Sequence, residues 1–363
     1  MSSFSSSGVE VFVPGRLCIL GEHTDWAGEY LGDNKDLVNG MVLVCATNEG
    51  LYASCRGVPD STGMQFDHMS VDGTLTSLSV RLITEELSEI AQSDSFGSYV
   101  CGTAAEMIRR LPEEKARGGI YINNHKTTLP MKKGLSSSAA VCVMVASCFN
   151  AVYALNLSQD EIMEIAYKGE MRTPSRCGRM DQCVVMGQNA VGYMEFHGNL
   201  CTLKTIRCGK ALHFVVVDLN AFKDTIVILR ELNNAFPFAS DDKQNLMHKY
   251  VIESKINTTK AKEAIIAGDI DALASCMKHG QQIFDECAIP NCPSQLTAPI
   301  LHKLIDDQQL QTMSLAIKGI GSQGDGTAQL LCADQAAQTV VLLYLRDTFK
   351  YDAFPLTIPA SVE

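Results

Sequence analysis

At 363 residues the chain has room for two domains with cores of their own. Its 46% hydrophobic and 20% charged residues describe a globular protein rather than a disordered or fibrous one. The 30 basic against 41 acidic residues leave a net charge of −11, which argues against nucleic acid or an anionic membrane as main partner. The 14 cysteines include no C-x-x-C pair, and Cys142 and Cys148 sit inside apolar runs. They read as free thiols of a reducing compartment, and the cytoplasm is the expected location. The opening MSSFSSSG is polar and uncharged, a frayed tail rather than a secretory signal.

In chain order, Val9–Val13 predicts a strand that stops at Pro14-Gly15, followed by strands Leu17–Leu20, Met41–Ala46 and Leu51–Ser54. Tyr99–Leu111 predicts a helix and Gly119–Asn123 a strand. The run PMKKGLSSSAA from Pro130 to Ala140 then leads into an apolar stretch that predicts a fully buried helix. Ser158-Gln-Asp-Glu161 is a capping box opening a helix to about Met171. Strands follow at Val191–Phe196, Leu203–Ile206 and Phe214–Val217, and Thr225–Asp307 turns helical. Lys318–Gly326 is a glycine-rich loop, followed by a strand Gln329–Cys332 and a helix from Asp334. Strands dominate the first half and helices the second. The expected class is α+β in two lobes, residues 1–207 and 208–363, joined near Arg207 with the active site in the cleft between them.

The serine loop carries the chemistry most directly. Small residues let backbone close around an anion, and a helix start offers unpaired N–H groups and a positive dipole end. Lys132 and Lys133 add charge, and the hydroxyls of Ser136, Ser137 and Ser138 can meet phosphate oxygens or a hard cation. The run does not match G-x-x-x-x-G-K-[ST], and by itself it could be a serine-rich helix cap. Three further segments are dense in polar groups. In PGRLCILGEHTDWAGEY, Arg16 precedes a cluster of Glu22, His23 and Asp25 that suits hydroxyl recognition; surface charge or a metal site are alternatives. In EMRTPSRCGRMDQ, Glu170 and Asp181 could serve one centre as cation ligand and as partner of the nucleophile, or be solvated carboxylates. In KGIGSQGDGTAQ, four glycines allow positive φ and close approach to a ligand, although such a loop is often only a turn.

Taken together, PGRLCILGEHTD, KGLSSSAA, GRMDQ and GIGSQGDG resemble the three signatures of the GHMP kinase superfamily, in order and over most of the chain. That superfamily includes galactokinase, homoserine kinase, mevalonate kinase and phosphomevalonate kinase, and the first and third of these segments look most like galactokinase. The resemblance implies ATP and Mg²⁺ as cofactors. Lys133, Gly134, Leu135, Ser136, Ser137, Ser138 and Ala139 would cradle ATP, and Ser138 and Glu170 would hold Mg²⁺. Asp181 would face the attacking hydroxyl, with Arg16 offsetting the charge of the transferring phosphoryl group. Glu22, His23, Asp25 and the backbone at Gly178 would bind a sugar.

Four departures bear on the acceptor and the nucleotide. Trp26 stands where galactokinases carry tyrosine, and EYLGDNKDLVN is an extra stretch. The expected tyrosine after Asp218 is missing, and Asp325 puts a charge into the third loop. The expected activity is therefore phosphorylation of a monosaccharide other than galactose at its anomeric hydroxyl. A kinase for a non-sugar alcohol and a non-catalytic sugar-sensing regulator are the alternatives.

Overall fold

The computed structural model describes residues 8–93, 95, 97–111, 118–129, 134–174, 177–198 and 200–361. They form two compact units, each made of two pieces of chain. The first combines the residues through Arg16 with Ala46–Gln188, and the second combines Leu17–Cys45 with the chain from Asn189 onward.

Strands β1 (Val9–Leu20) and β2 (Met41–Val58) contribute to both units. The first unit adds β3 (Gly63–Met69), β4 (Leu75–Arg81), α1 (Thr84–Ala91), α2 (Ser98–Ile108), β5 (Gly119–Thr127), α3 (Ser137–Val152) and α4 (Gln159–Glu170). Its strand order is β4-β3-β5-β2 with β1 on β2. The β3 and β5 strands run parallel, while β4 on β3 and β5 on β2 are antiparallel. The expected break at Pro14-Gly15 is absent, and β1 runs straight through it. Gly15 serves close packing instead: a Cβ there would stand 2.4 Å from Leu129 Cδ1 and 2.9 Å from the Leu135 carbonyl. The two strands expected at Met41 and Leu51 are likewise one strand, with a register shift between Tyr52 and Ser54 where it meets β5.

Two helices of this unit behave as their residues dictate. Along α3 the face is apolar nearly all round, and eleven of its residues are buried. Helix α4 begins on the predicted capping box: Glu161 N–H donates to Ser158 Oγ at 3.3 Å, and Ser158 N–H donates to Glu161 Oε2 at 2.8 Å. Helices α2 and α4 meet at two glycines. A Cβ on Gly102 would lie 2.3 Å from the Gly169 carbonyl, and one on Gly169 would lie 2.5 Å from Thr103 Oγ1 and 2.6 Å from Thr103 Cα. This crossing sets the depth of the next residue, Glu170, which is 1% exposed.

The second unit adds β6 (Val191–His197), β7 (Leu200–Ile206), β8 (Leu212–Asp218), α5 (Thr225–Asn233), α6 (Asp242–Ala267), α7 (Ile270–Ala288), α8 (Pro293–Leu296), α9 (Pro299–Ile305), α10 (Gln308–Met313), β9 (Ala316–Gly319), β10 (Thr327–Cys332), α11 (Gln335–Tyr344) and β11 (Ala353–Ile358). Within it, Met41–Cys45 of β2 pairs antiparallel with β6, and β6 with β7. A separate antiparallel sheet has the order β11-β8-β10-β9. Val215 and Val217 of β8 and Leu330 of β10 pack there with Leu301, Leu304, Val341 and Leu345 from the helices. The boundary expected near Arg207 falls inside this unit, just after β7. All 14 cysteines are free thiols. No helix of the described residues is long and apolar enough to cross a membrane.

The crossing of α2 and α4 yields a test. Gly169→Ala gains up to about 1 kcal/mol of helix propensity, but its methyl meets backbone that cannot step aside. A net loss of about 1–3 kcal/mol is expected, read as a lower urea midpoint at unchanged m-value. An unchanged midpoint would show that the helices separate freely.

Candidate active site

In the first unit the serine loop begins at Gly134, whose φ of 71° lies in the left-handed region. Lys132 and Lys133 lie outside the described residues. Ser136 also takes a left-handed conformation, φ 57°, which is strained for a residue with a Cβ and is a common mark of a functional loop. Its side chain does not cap α3, and its hydroxyl is buried without a hydrogen-bond partner. Ser137, Ser138 and Ala139 form the first turn of α3, where N–H groups lack intrahelical acceptors and the dipole favours an anion.

Arg16 joins three segments. Its backbone N–H donates to the Leu135 carbonyl at 3.0 Å, its Nη1 to the Gly134 carbonyl at 3.3 Å, and its Nη2 to Asp181 Oδ1. Asp181 opens a 3-10 turn, Asp181–Met186, and its side chain keeps 21% exposure against 5% for Arg16. The sequence places these two residues 165 positions apart; the fold makes them an ion pair.

Glu170 is the other carboxylate. Among the described residues no basic side chain pairs with it. Its hydrogen bonds come from the Ser138 hydroxyl, the Cys177 thiol and the Gln182 amide. Burial first, and then repulsion from Asp181, push its pKa up to about 7. Among the described residues there is no cluster of three or more His, Cys, Asp or Glu side chains that could hold a metal. Two protein oxygens do suit Mg²⁺, which keeps several waters and takes phosphate oxygens. A buried carboxylate beside Gln182 Oε1, which has no partner among the described residues, fits such an ion.

The second unit holds Glu22, His23 and Asp25, all buried, directly after β1. Gly21 bends the chain at φ 98°, because a Cβ there would sit 2.2 Å from the Met41 carbonyl. Thr24 Oγ1 closes the bend by donating to the Gly21 carbonyl at 2.8 Å. Glu22 is turned inward: its carboxylate pairs with Lys318 Nζ, and its carbonyl accepts from Tyr250 Oη at 2.7 Å. His23 stacks on Phe284 at 5.6 Å and meets the edge of Trp26 at 6.3 Å. Burial lowers its pKa to about 4, helped by the nearby charges of Lys223 and Lys318 and opposed by a hydrogen bond to the Ser322 backbone. The ring is therefore neutral at pH 7, with Nε2 buried and unpartnered. The extra stretch 29–39 is anchored rather than loose: Tyr30 stacks on Phe236, and Asn34 Nδ2 donates to the Pro237 carbonyl at 2.8 Å.

Asp325 is explained by α9. Its Oδ1 accepts from the backbone N–H of Ile300 at 3.0 Å and of Leu301 at 2.9 Å, so its charge is spent on a helix N-terminus. Lys223 Nζ donates to the Gln323 carbonyl at 2.7 Å and lies over Gly326, where any Cβ would collide with it. Gly178 is half-buried in the first unit, in the stretch leading to Asp181. Sequence reasoning missed Tyr250 and Phe284, whose positions in the chain carry no local signal, and gave no role to Lys318 at the head of the glycine-rich segment. It also quoted Cys177 and Gln182 within the EMRTPSRCGRMDQ segment without giving either a role.

Residues 98–188, which contain the loop, Glu170 and the Arg16 partner Asp181, match the family model of the GHMP kinases N terminal domain. That stretch of the chain is similar to the GHMP kinases N terminal domain. Galactokinase of Mannheimia succiniciproducens is 29% identical over 192 residues, which cover 50% of this chain and 43% of that protein. The match therefore spans less than half of the curated relative's length. The crystal structure of L. major mevalonate kinase in complex with R-mevalonate has a TM-score of 0.73 at 16% identity, covering 100% of both chains. Lactococcus lactis galactokinase complexed with galactose has a TM-score of 0.70 at 16% identity, covering 98% of this chain and 94% of that one. At these identities the likeness shows the fold, and the α+β GHMP kinase fold expected from the sequence is the one observed.

His23 gives this site a pH signature. Between pH 6.5 and 4 the unfolded chain takes up a proton that the native ring refuses, so stability is lost as the pH falls through this range. The loss amounts to on the order of 2–3 kcal/mol. Urea midpoints from pH 7 to 4 should fall less steeply for His23→Gln than for the parent chain. Equal slopes would mean that the ring is hydrated and titrates normally.

Proposed function

We propose that this protein transfers the γ-phosphoryl group of ATP to a hydroxyl of a monosaccharide, at the anomeric position. The arrangement that carries the reading is Arg16 holding Asp181 against the backbone of the serine loop, beside a buried Glu170 that has no basic partner among the described residues. Phosphoryl transfer asks mainly for positioning and charge stabilisation, and these groups supply both. The loop from Gly134 and the first turn of α3 bind phosphate oxygens. Ser138 and Glu170 would hold Mg²⁺, which offsets phosphate charge when bound. Asp181 accepts the acceptor hydroxyl proton as the oxygen–phosphorus bond forms and the β–γ bond breaks, releasing ADP. Arg16 orients that carboxylate and meets the charge on the transferring group. In this reading His23 and Asp25 bind acceptor hydroxyls, and the 14 free cysteines fit a reducing compartment such as the cytoplasm.

One observation favours a non-sugar alcohol as the second reading. The carboxylate of Glu22 is occupied by Lys318 inside the second unit, which leaves fewer groups to satisfy a polyhydroxylated ring.

The chemistry is tested by Asp181→Asn, which keeps a side chain of the same shape beside Arg16 but removes the base. A fall in kcat of roughly 10²-fold or more with ATP affinity little changed is expected; near-normal kcat would remove Asp181 from the reaction. The acceptor is tested by kcat/KM across pentoses, hexoses, heptoses, uronic acids, mevalonate and homoserine. Trp26 and the anchored stretch 29–39 differ from galactokinases, and each unpaired buried polar group costs about 1–3 kcal/mol. Another aldose should therefore exceed galactose by about tenfold or more. Galactose at the top would discount the stretch, and mevalonate or homoserine at the top would establish the second reading.

A further inference from the structure

Gln182 follows Asp181 in the 3-10 turn and is completely buried. Its Nε2 donates to Glu170 Oε2 at 2.9 Å and to Cys177 Sγ at 3.3 Å. The NH₂ group faces the carboxyl group, as it must when Glu170 is in the ionised form that takes a cation, which offers only lone pairs. Among the described residues the amide oxygen is then left buried with no partner.

Among the described residues the three groups that hold Glu170 are all neutral donors: the Ser138 hydroxyl, the Cys177 thiol and the Gln182 amide. A lysine or arginine there would hold the carboxylate more firmly, but it would also neutralise it and repel a cation. An amide fixes the geometry and leaves the charge available. Because Gln182 and Asp181 are consecutive, the same contact ties Glu170 to the turn that carries Asp181. The orphaned amide oxygen adds an acceptor beside the carboxylate, which suits a cation whose retained waters donate outward.

We propose that Gln182 is a positioning residue for the cation site: its amide holds the Glu170 carboxylate towards Ser138 and locks that geometry to the turn bearing Asp181. The inference rests on the reading that Ser138 and Glu170 take the divalent cation of the nucleotide.

The test uses the full chain and Mn²⁺ as the probe, with free Mn²⁺ counted by electron paramagnetic resonance in the presence of a non-hydrolysable ATP analogue. Binding that is present in the parent chain and lost in Glu170→Gln supports the underlying reading; binding that Glu170→Gln leaves unchanged overturns that reading and the inference with it. Given that result, Gln182→Met should weaken Mn²⁺ binding by roughly 10-fold or more, as expected when a ligand loses its supporting hydrogen bond. Affinity for the analogue without cation should not change. In the Glu170→Gln background, Gln182→Met should have no further effect on Mn²⁺ affinity, because its influence runs through that carboxylate. If Gln182→Met does not fold, Gln182→Asn keeps a buried amide but withdraws it from Glu170, and the same loss is expected. Mn²⁺ affinity within about twofold of the parent in a folded variant, or an equal loss in the Glu170→Gln background, would overturn the positioning role while leaving the cation site intact.

Discussion

One buried guanidinium sets the geometry of the first unit. Arg16 is 4% exposed, and its bonds run to the serine loop at Gly134 and Leu135 and to Asp181 on the 3-10 turn. Burying a cation is unfavourable unless its donors are met, and a rigid planar fork can be met only by groups standing in set directions. In the proposed function the groups that meet it are ones that a phosphoryl transfer needs aligned. Strand β1, the loop and the turn thus hold their relation before any ligand arrives, which is the condition for electrostatic preorganisation.

The carboxylates of the candidate site are treated in opposite ways. Asp181 and Glu22 each have a basic partner, Arg16 and Lys318, so their charges are compensated inside the protein. Among the described residues Glu170 has only neutral donors, and its raised pKa expresses the cost of ionising it in a buried place near Asp181. That contrast is why the proposed function gives Glu170, and not Asp181 or Glu22, to the cation. Its depth follows from packing, because α2 and α4 approach backbone to backbone at Gly102 and Gly169. A side chain at either glycine would push α4, and Glu170 with it, away from Ser138.

In the second unit the glycine-rich loop works largely as scaffold. Its Asp325 caps α9, its Gln323 carbonyl holds Lys223, and its Ser322 backbone holds the His23 ring. The charge that looked misplaced beside phosphates is directed to a helix end. His23 is kept neutral by burial against Phe284, so it meets a partner as a hydrogen-bonding group and not as a cation.

Sequence alone determined the elements whose cause is local. The Ser158–Glu161 box opens α4 as read, and the apolar run after the serines is the buried α3, because both depend on residues three or four positions apart. The family signatures were likewise legible, since each is a short string. The break at Pro14-Gly15 was misread because a glycine needed for close packing looks identical to one needed for a turn. Strand β3 escaped notice because its inward positions include His68, whose ring nitrogen meets Asn124 on β5 at 2.6 Å. The pairs that define the site, Arg16 with Asp181 and Glu22 with Lys318, are 165 and 296 positions apart. No local pattern encodes such a pair: which charge is compensated, and which is left for a cation, follows only from how the packed elements bring side chains together.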